Sequence, residues 1–395
     1  TGLSGGALPV HGGLVLSLLR MNKILEIDQK NMQIVVEPGV IAEDLQIELK
    51  KYNLFFPPDP SSTVESTLGG NVAENAGYTR AVKYGVTRDY VLGLEAVLPD
   101  GEIINIGGRT VKNVTGYDLV ALLIGSEGTL AIVTKIICKV LPRPAIRKTC
   151  IMYLDDLGAA ADLVVTIFGA GILPCAIEFM DSMSINCVAD YLPTAESLIR
   201  RDAEALVLVE VDGNHEIATD YEARRIMDLS KGFSGVIEAK YAENDEQAEK
   251  LWRIRRDTLP ALKAKGKDHL EADVVVPRYR LPFLVRAIQE SVATKTVKVA
   301  TFGHAGDGNL HVTIQYRKRN FAELEEANEL LGDIYRKAIE MGGKLTGEHG
   351  VGITAKDYMK IQMSPAEIAL MKRIKYAFDP KGILNPGKIF PEESG

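Results

Sequence analysis

The sequence predicts an α+β protein of two domains, the second built on an antiparallel sheet with helices packed on one face. Three observations carry this. The chain has 395 residues, enough for two or three domains at roughly 100–200 residues each. Glycines cluster at 69–70, 107–108, 125 and 128 among short strand-like stretches closed by turns, the texture of a loop-rich α+β region that lets backbone approach something bulky and anionic. From about residue 148, strands alternate instead with amphipathic helices. Leu141-Pro-Arg-Pro144 separates the two textures, which places the domains at 1–142 and 143–395.

Within the first domain, residues 34–39, 91–98 and 130–137 are rich in β-branched side chains and end in Gly, Pro or Asp-Gly turns, so they read as strands. In the second, 150–154, 176–180 and 206–211 read as strands, and 157–168 and 216–229 as helices. Residues 297–302 and 311–315 flank a Gly-Asp-Gly-Asn turn and read as a hairpin. A helix is expected near 320–341, with acidic residues early and Lys337 late, matching the helix dipole. Ser364-Pro-Ala-Glu367 is a capping box with proline at the first helical position. That helix should stop at Phe378-Asp-Pro380, leaving 379–395 as an extended tail.

Composition narrows the function. There are 46 Lys+Arg against 53 Asp+Glu, a formal charge of −7, and a pI near 5.6, which argues against nucleic acid because phosphate binding needs a basic face. Hydrophobic residues make up 46%, too many for a largely disordered chain. Four cysteines lie far apart with no C-x-x-C pair, so the chain carries neither an iron–sulfur ligand set nor a disulfide framework. Apolar runs such as 119–124 and 205–209 are of strand length, so no transmembrane segment is expected. A cytoplasmic protein is the default, with any membrane contact peripheral and through a partner. The sequence opens at Thr1 without methionine, so the natural N-terminus is expected upstream.

The sharpest local signal is His304-Ala-Gly-Asp-Gly-Asn-Leu-His311. Folded as a hairpin centred between Asp307 and Gly308, it sets His304 opposite His311, with Cβ atoms about 4.5–5.5 Å apart. Two imidazoles at that spacing can chelate one metal ion. Gly347-Glu-His-Gly350 adds a carboxylate, Glu348, and a further histidine, His349. Two His and one Glu form a common open metal site with a position left for a substrate oxygen. Three of only six histidines lie in these two turns, where packing gives little reason to hold them; His11, His215 and His269 read as ordinary surface or loop residues. A second signal is the stretch from Thr67 to Gly77, whose glycines expose backbone N–H groups as an anion nest suited to a pyrophosphate. No G-x-G-x-x-G follows a strand, so a nicotinamide fingerprint is absent, and a redox cofactor would be a flavin held by loops.

These stretches, with Phe56-Pro-Pro-Asp-Pro-Ser-Ser62, Lys83-Tyr-Gly85, Gly116-Tyr-Asp-Leu119, Gly125-Ser-Glu-Gly-Thr-Leu130 and Leu384-Asn-Pro-Gly387, resemble one branch of the flavoproteins related to vanillyl-alcohol oxidase. That branch holds the flavin-binding glycolate oxidase subunits and the D-lactate dehydrogenases. The resemblance runs over nearly the whole chain in the family's order. It implies a PCMH-type FAD-binding domain, a C-terminal substrate (cap) domain, and a tail returning to the flavin. The first pyrophosphate loop would correspond to Gly2, Leu3, Ser4 and Gly5, with its upstream half absent here. Pro58, Thr67, Gly69, Gly70, Asn75 and Gly77 would line the pyrophosphate and flavin edge, with Val86 nearby. Glu127, Gly128 and Ile132 would lie against the adenosine end, and Asn385 would approach from the tail. No histidine occurs in Thr1–Gly6, so the FAD is expected to be non-covalent. Two positions depart from the family's pattern: Tyr78 replaces a glycine after Ala-Gly, and Ala131 the glycine of Gly-Thr-Leu-Gly.

The same resemblance makes His304, His311 and Glu348 ligands of a divalent metal, most often zinc, with Fe2+ or Mn2+ as alternatives, and His349 the general base. Metal binding lowers the pKa of a substrate hydroxyl. A neutral imidazole can then take its proton at about pH 7 while hydride passes to flavin N5. Arg255 would pair with the substrate carboxylate; the competing reading is a solvated helix arginine among Arg253 and Arg256. The implied activity is FAD-dependent oxidation of a D-2-hydroxy acid, D-lactate or glycolate, to the 2-oxo acid. Alternatives are a D-2-hydroxyglutarate-type dehydrogenase, a non-catalytic flavin subunit of an electron-transfer complex, and a metal-dependent hydrolase. With no cysteine cluster, electrons would leave through an iron–sulfur subunit, an electron-transferring flavoprotein or a quinone, in a homodimer or hetero-complex.

Overall fold

The computed structural model describes residues 1–266 and 268–392. It divides into two compact units. The first takes residues 1–78, 84–143 and those from 348 onward, and the second takes 79–83 and 144–347.

The first unit is built on a five-stranded antiparallel sheet in the order Ile24–Asp28, Gln33–Val36, Ile132–Lys139, Val91–Val97, Ile103–Gly107. Helix Ala42–Lys50 buries Ala42, Leu45 and Leu49, the i, i+3, i+7 spacing of one apolar stripe. They share a core with Ile34, Val36, Leu94, Ile136 and Phe56. The C-terminal helix Pro365–Phe378 carries the expected capping box at Ser364 and Glu367, and Ile374 and Phe378 pack on that core. The C-terminal contribution to this unit therefore begins at 348, well before the expected tail at 379. Hydrogen bonds explain it: the Glu127 carboxylate accepts from Val351 and Gly352 N–H, each at 2.7 Å, and Lys375 Nζ donates to Thr129 O at 2.7 Å.

The second unit is a seven-stranded antiparallel sheet ordered Val236–Tyr241, Ile146–Leu154, Ala205–Gly213, Ala176–Asp181, Lys298–Gly303, Asn309–Tyr316, Asp268–Val275. Leu206 and Leu208 share a core with Ile185 and Val188 of helix Ser182–Tyr191 and with Leu251, Trp252 and Ile254 of helix Asp245–Arg256. Val207 and Val209 point to the opposite face and are just as buried. The expected helices at 157–168, 216–229 and 320–341 form over Leu157–Gly169, Glu216–Lys231 and Phe321–Glu340.

Residues 79–83 belong to this unit through charge. Arg80 Nη2 lies 3.0 Å from Glu210 Oε1 and stacks over Trp252 with Cζ 5.4 Å from the ring centroid. Lys83 Nζ donates to Asp212 O at 2.9 Å. Glu210, on a strand interior, also accepts from Trp252 Nε1 at 2.6 Å and Thr149 Oγ1 at 3.1 Å, so the buried carboxylate is fully served. All four cysteines are free and buried.

Candidate active site

In the second unit the two predicted imidazoles come together by a different register from the one expected. Strands Lys298–Gly303 and Asn309–Tyr316 pair Phe302, not His304, with His311. The turn sets this. His304 O accepts the N–H groups of both Asp307, at 3.0 Å, and Asn309, at 3.2 Å, which closes a loop over 305–308. Gly308 has φ +78°, and a Cβ there would lie 2.1 Å from Val276 O, so only glycine fits. A shift of two residues preserves the face on which a side chain lies. The His304 and His311 rings therefore still meet, centroids 5.2 Å apart at 88°.

Each imidazole has a carboxylate behind it. His304 Nδ1 is 2.7 Å from Glu178 Oε1, and Glu178 sits on strand Ala176–Asp181 with no exposed surface. His311 Nδ1 is 3.4 Å from Oδ1 of Asp273, its cross-strand partner. Asp273 Oδ1 also accepts from Asn309 Nδ2 at 2.8 Å, while Oδ2 accepts from Thr346 Oγ1 at 2.7 Å and Gly347 N–H at 2.9 Å. The hydrogen bond at His304 is the usual arrangement behind a metal-ligating imidazole, because the carboxylate fixes tautomer and ring orientation. The donor set fits a divalent cation. Arg255 is buried rather than solvated, 4% exposed, with Nε 2.7 Å from Glu178 Oε2 and Cζ 5.1 Å from the Phe302 ring centroid. Arg253 and Arg256 instead pair on the surface with Asp257 and Glu249.

In the first unit, His349 Nε2 lies 3.7 Å from Glu348 Oε1. Gly77 makes room for that carboxylate: a Cβ on it would stand 2.6 Å from Glu348 Oε2. Ser4, in the expected pyrophosphate loop, is buried, and its carbonyl accepts from Ile353 N–H at 2.8 Å. Lys388 Nζ donates to Gly5 O at 3.0 Å, while Gly2 and Leu3 stay exposed. The Glu127 carboxylate is committed to Val351 and Gly352 N–H, and its carbonyl accepts from Asn385 Nδ2 at 2.7 Å. Asn385 also closes on Gly128, where a Cβ would be 2.8 Å from Nδ2. Beside Glu127, burial and then that residue's charge push the Glu74 carboxyl up to about 8.

The remaining expected cofactor residues have structural duties of their own. Gly69 and Gly70 lie in helix Leu68–Glu74 rather than in an open turn, because Thr67 Oγ1 caps it, accepting from Gly70 N–H at 3.1 Å. Asn75 ends that helix at φ 52°, and its Oδ1 accepts from Arg88 N–H at 2.9 Å. Val86 N–H donates to Asp89 Oδ2 at 2.7 Å. Pro58 is buried, and Ile132 opens strand Ile132–Lys139. Past Gly107, the side chains of Val111, Val114 and Tyr117 are 79%, 98% and 96% exposed.

Sequence reasoning missed Glu178, Asp273 and Glu74. The first two carry one visible signal, a carboxylate inside an otherwise apolar strand, which must be paired if it is buried.

Residues 1–107 match the family described as FAD binding domain, and residues 143–389 the family described as FAD linked oxidases, C-terminal domain. The chain is 43% identical over 398 residues to glycolate oxidase subunit GlcD of Bacillus subtilis, spanning 100% of this chain and 83% of that one. It is 36% identical to a D-lactate dehydrogenase of Anaerostipes hadrus, over 98% of this chain and 82% of that one. Among solved structures, 4-ethylphenol oxidase from Gulosibacter chungangensis superposes with TM-score 0.73 at 19% identity, covering 98% of this chain and 84% of the other. p-Cresol methylhydroxylase does so with TM-score 0.73 at 17% identity, over 96% and 80%. These two share the fold. No helix among the described residues is long and apolar enough to cross a membrane.

Proposed function

Because the chain belongs to the FAD-linked oxidases, we propose that it oxidises a D-2-hydroxy acid, D-lactate or glycolate, to the 2-oxo acid. The observation that carries this reading is the pair of carboxylate-backed imidazoles, His304 and His311, with the buried guanidinium of Arg255 on the same carboxylate as His304. The relatives named glycolate oxidase subunit and D-lactate dehydrogenase support the substrate class. FAD, held without a covalent link by the first unit, would supply the two-electron acceptor. A divalent cation, zinc first, held by His304, His311 and Glu348, would supply positive charge to the substrate hydroxyl.

The chain's own residues do the rest. Arg255 takes the substrate carboxylate on its guanidinium fork and fixes which face of the α-carbon is presented. His349 receives the hydroxyl proton on a ring nitrogen. Gly347, the residue before Glu348, is held within the second unit by the Asp273 carboxylate, which accepts its N–H. Electrons then leave through a separate iron–sulfur subunit, electron-transferring flavoprotein or quinone, a reading supported by relatives named as subunits. Four free buried thiols suit a reducing compartment such as the cytoplasm. The hydrolase alternative falls, since both parts of the chain match FAD-linked families.

The test is an anaerobic absorbance spectrum of the flavin-loaded protein before and after D-lactate, then glycolate. Bleaching of the flavin band with either acid is the expected result. Bleaching only with D-2-hydroxyglutarate would move the substrate to a larger acid, and a band unchanged by all three would overturn the proposal.

A further inference from the structure

Glu178 lies in the second unit with no exposed surface, and its two oxygens are divided between two functional groups. Oε1 is 2.7 Å from His304 Nδ1 and Oε2 is 2.7 Å from Arg255 Nε. A carboxylate can only accept, so His304 Nδ1 carries the hydrogen and donates it, which leaves the lone pair on Nε2. On the other side the ion pair engages Arg255 at Nε. The two terminal nitrogens of the guanidinium thus remain for a second, incoming carboxylate. The Phe302 ring, 5.1 Å from Cζ, holds the guanidinium from its face.

We propose that Glu178 is a positioning residue that couples the metal-ligating imidazole of His304 to the carboxylate-binding guanidinium of Arg255. This rests on the roles given to those two residues above and adds that one buried carboxylate orients both. A buried carboxylate serving only as a structural counter-ion needs one partner. Here each oxygen meets a different side chain of the site, delivered by a different element: His304 next to strand Lys298–Gly303, and Arg255 from helix Asp245–Arg256.

Glu178→Gln keeps the volume, removes the charge and leaves one accepting oxygen where two partners need one. The test uses the flavin-loaded full chain in two separate titrations. Zn2+ affinity is read by competition with a chelator in the absence of any carboxylate ligand. Pyruvate affinity is read by perturbation of the oxidised flavin spectrum after the metal has been stripped. In Glu178→Gln, Zn2+ affinity should fall about 10–100-fold, the range for losing a partner behind a metal-ligating histidine, and pyruvate affinity by about tenfold. Glu178→Asp is the second variant. It keeps the charge but is one methylene shorter and cannot span both partners, so it should lose one affinity and retain the other. A loss confined to one titration in Glu178→Gln, or both affinities unchanged in Glu178→Asp, overturns the coupling. If the unmodified protein binds Zn2+ but no hydroxy acid reduces its flavin, the activity reading has failed, while the Zn2+ titration still reports on Glu178 and His304.

Discussion

At the scale of single residues, Glu74 and the Glu348-His349 pair make the clearest demands. The Glu74 carboxyl is raised from 4.5 to about 8 by burial and by the nearby Glu127, so the folded chain holds this proton more tightly than the unfolded one. Its contribution to stability is full below about pH 4.5 and is lost as pH rises through about 8. Glu74→Gln should flatten the fall in Tm over that window and be more stable than the parent above it. Parallel Tm curves for the two proteins would exclude Glu74 as the cause. His349→Ala should retain flavin and metal while anaerobic flavin reduction slows about 10²–10⁴-fold, the usual worth of a positioned base; Glu348→Ala should lose the metal. Unchanged reduction in the first or full metal content in the second, measured by stopped flow and elemental analysis, would remove that residue from its role.

At the scale of elements, the 304–311 hairpin depends on one glycine, Gly308. Gly308→Ala combines a positive φ with a Cβ 2.1 Å from Val276 O. Gly101→Ala has a similar φ of +93° and nothing within 4 Å. The second should cost about 1 kcal/mol from conformation alone. The first should cost about 2 kcal/mol more, because the turn must open. Urea unfolding of the two variants checks this, and equal losses would show that the Val276 contact is relieved cheaply. The hairpin, its histidines and most helices were legible because turn residues, caps and periodicity are local. Its register was not, because two N–H groups fold back on His304 O, and the motif alone does not reveal that bifurcation. Gly69 and Gly70 looked like an open nest until Thr67 supplied a cap. Glu178 and Asp273 were hidden for another reason: a charge in an apolar strand announces burial, but its partners come from strands and helices remote in sequence.

At the scale of the whole molecule, each unit depends on chain segments far apart in sequence. The second borrows 79–83, and Arg80 there faces Glu210, whose side chain is 2% exposed. Burial opposes ionisation of Glu210, yet the charges of Arg80 and Arg147 and the Trp252 hydrogen bond hold its pKa below the ordinary value. The stabilisation is present above the ordinary carboxylate range and is lost as pH falls through the lowered value. Arg80→Ala should therefore cost about 3–5 kcal/mol by leaving a buried carboxylate without its main counter-charge. Adding Glu210→Gln should restore part of that loss in urea unfolding. No recovery in the double variant would mean that Arg80 acts through its packing on Trp252 instead.

The clamp between Glu127 and the N–H groups of Val351 and Gly352 also orders events in time. Its partners are 224 and 225 residues apart in sequence, so at about 5–20 residues per second of synthesis the Glu127 carboxylate waits roughly 11–45 s for them. Every residue of the second unit has left the ribosome before the first unit can close. A released chain ending at residue 347 would carry everything needed for a finished second unit beside an open first one. The apolar ground beneath Ile374 and Phe378 would then be bare to chaperones, proteases and other chains.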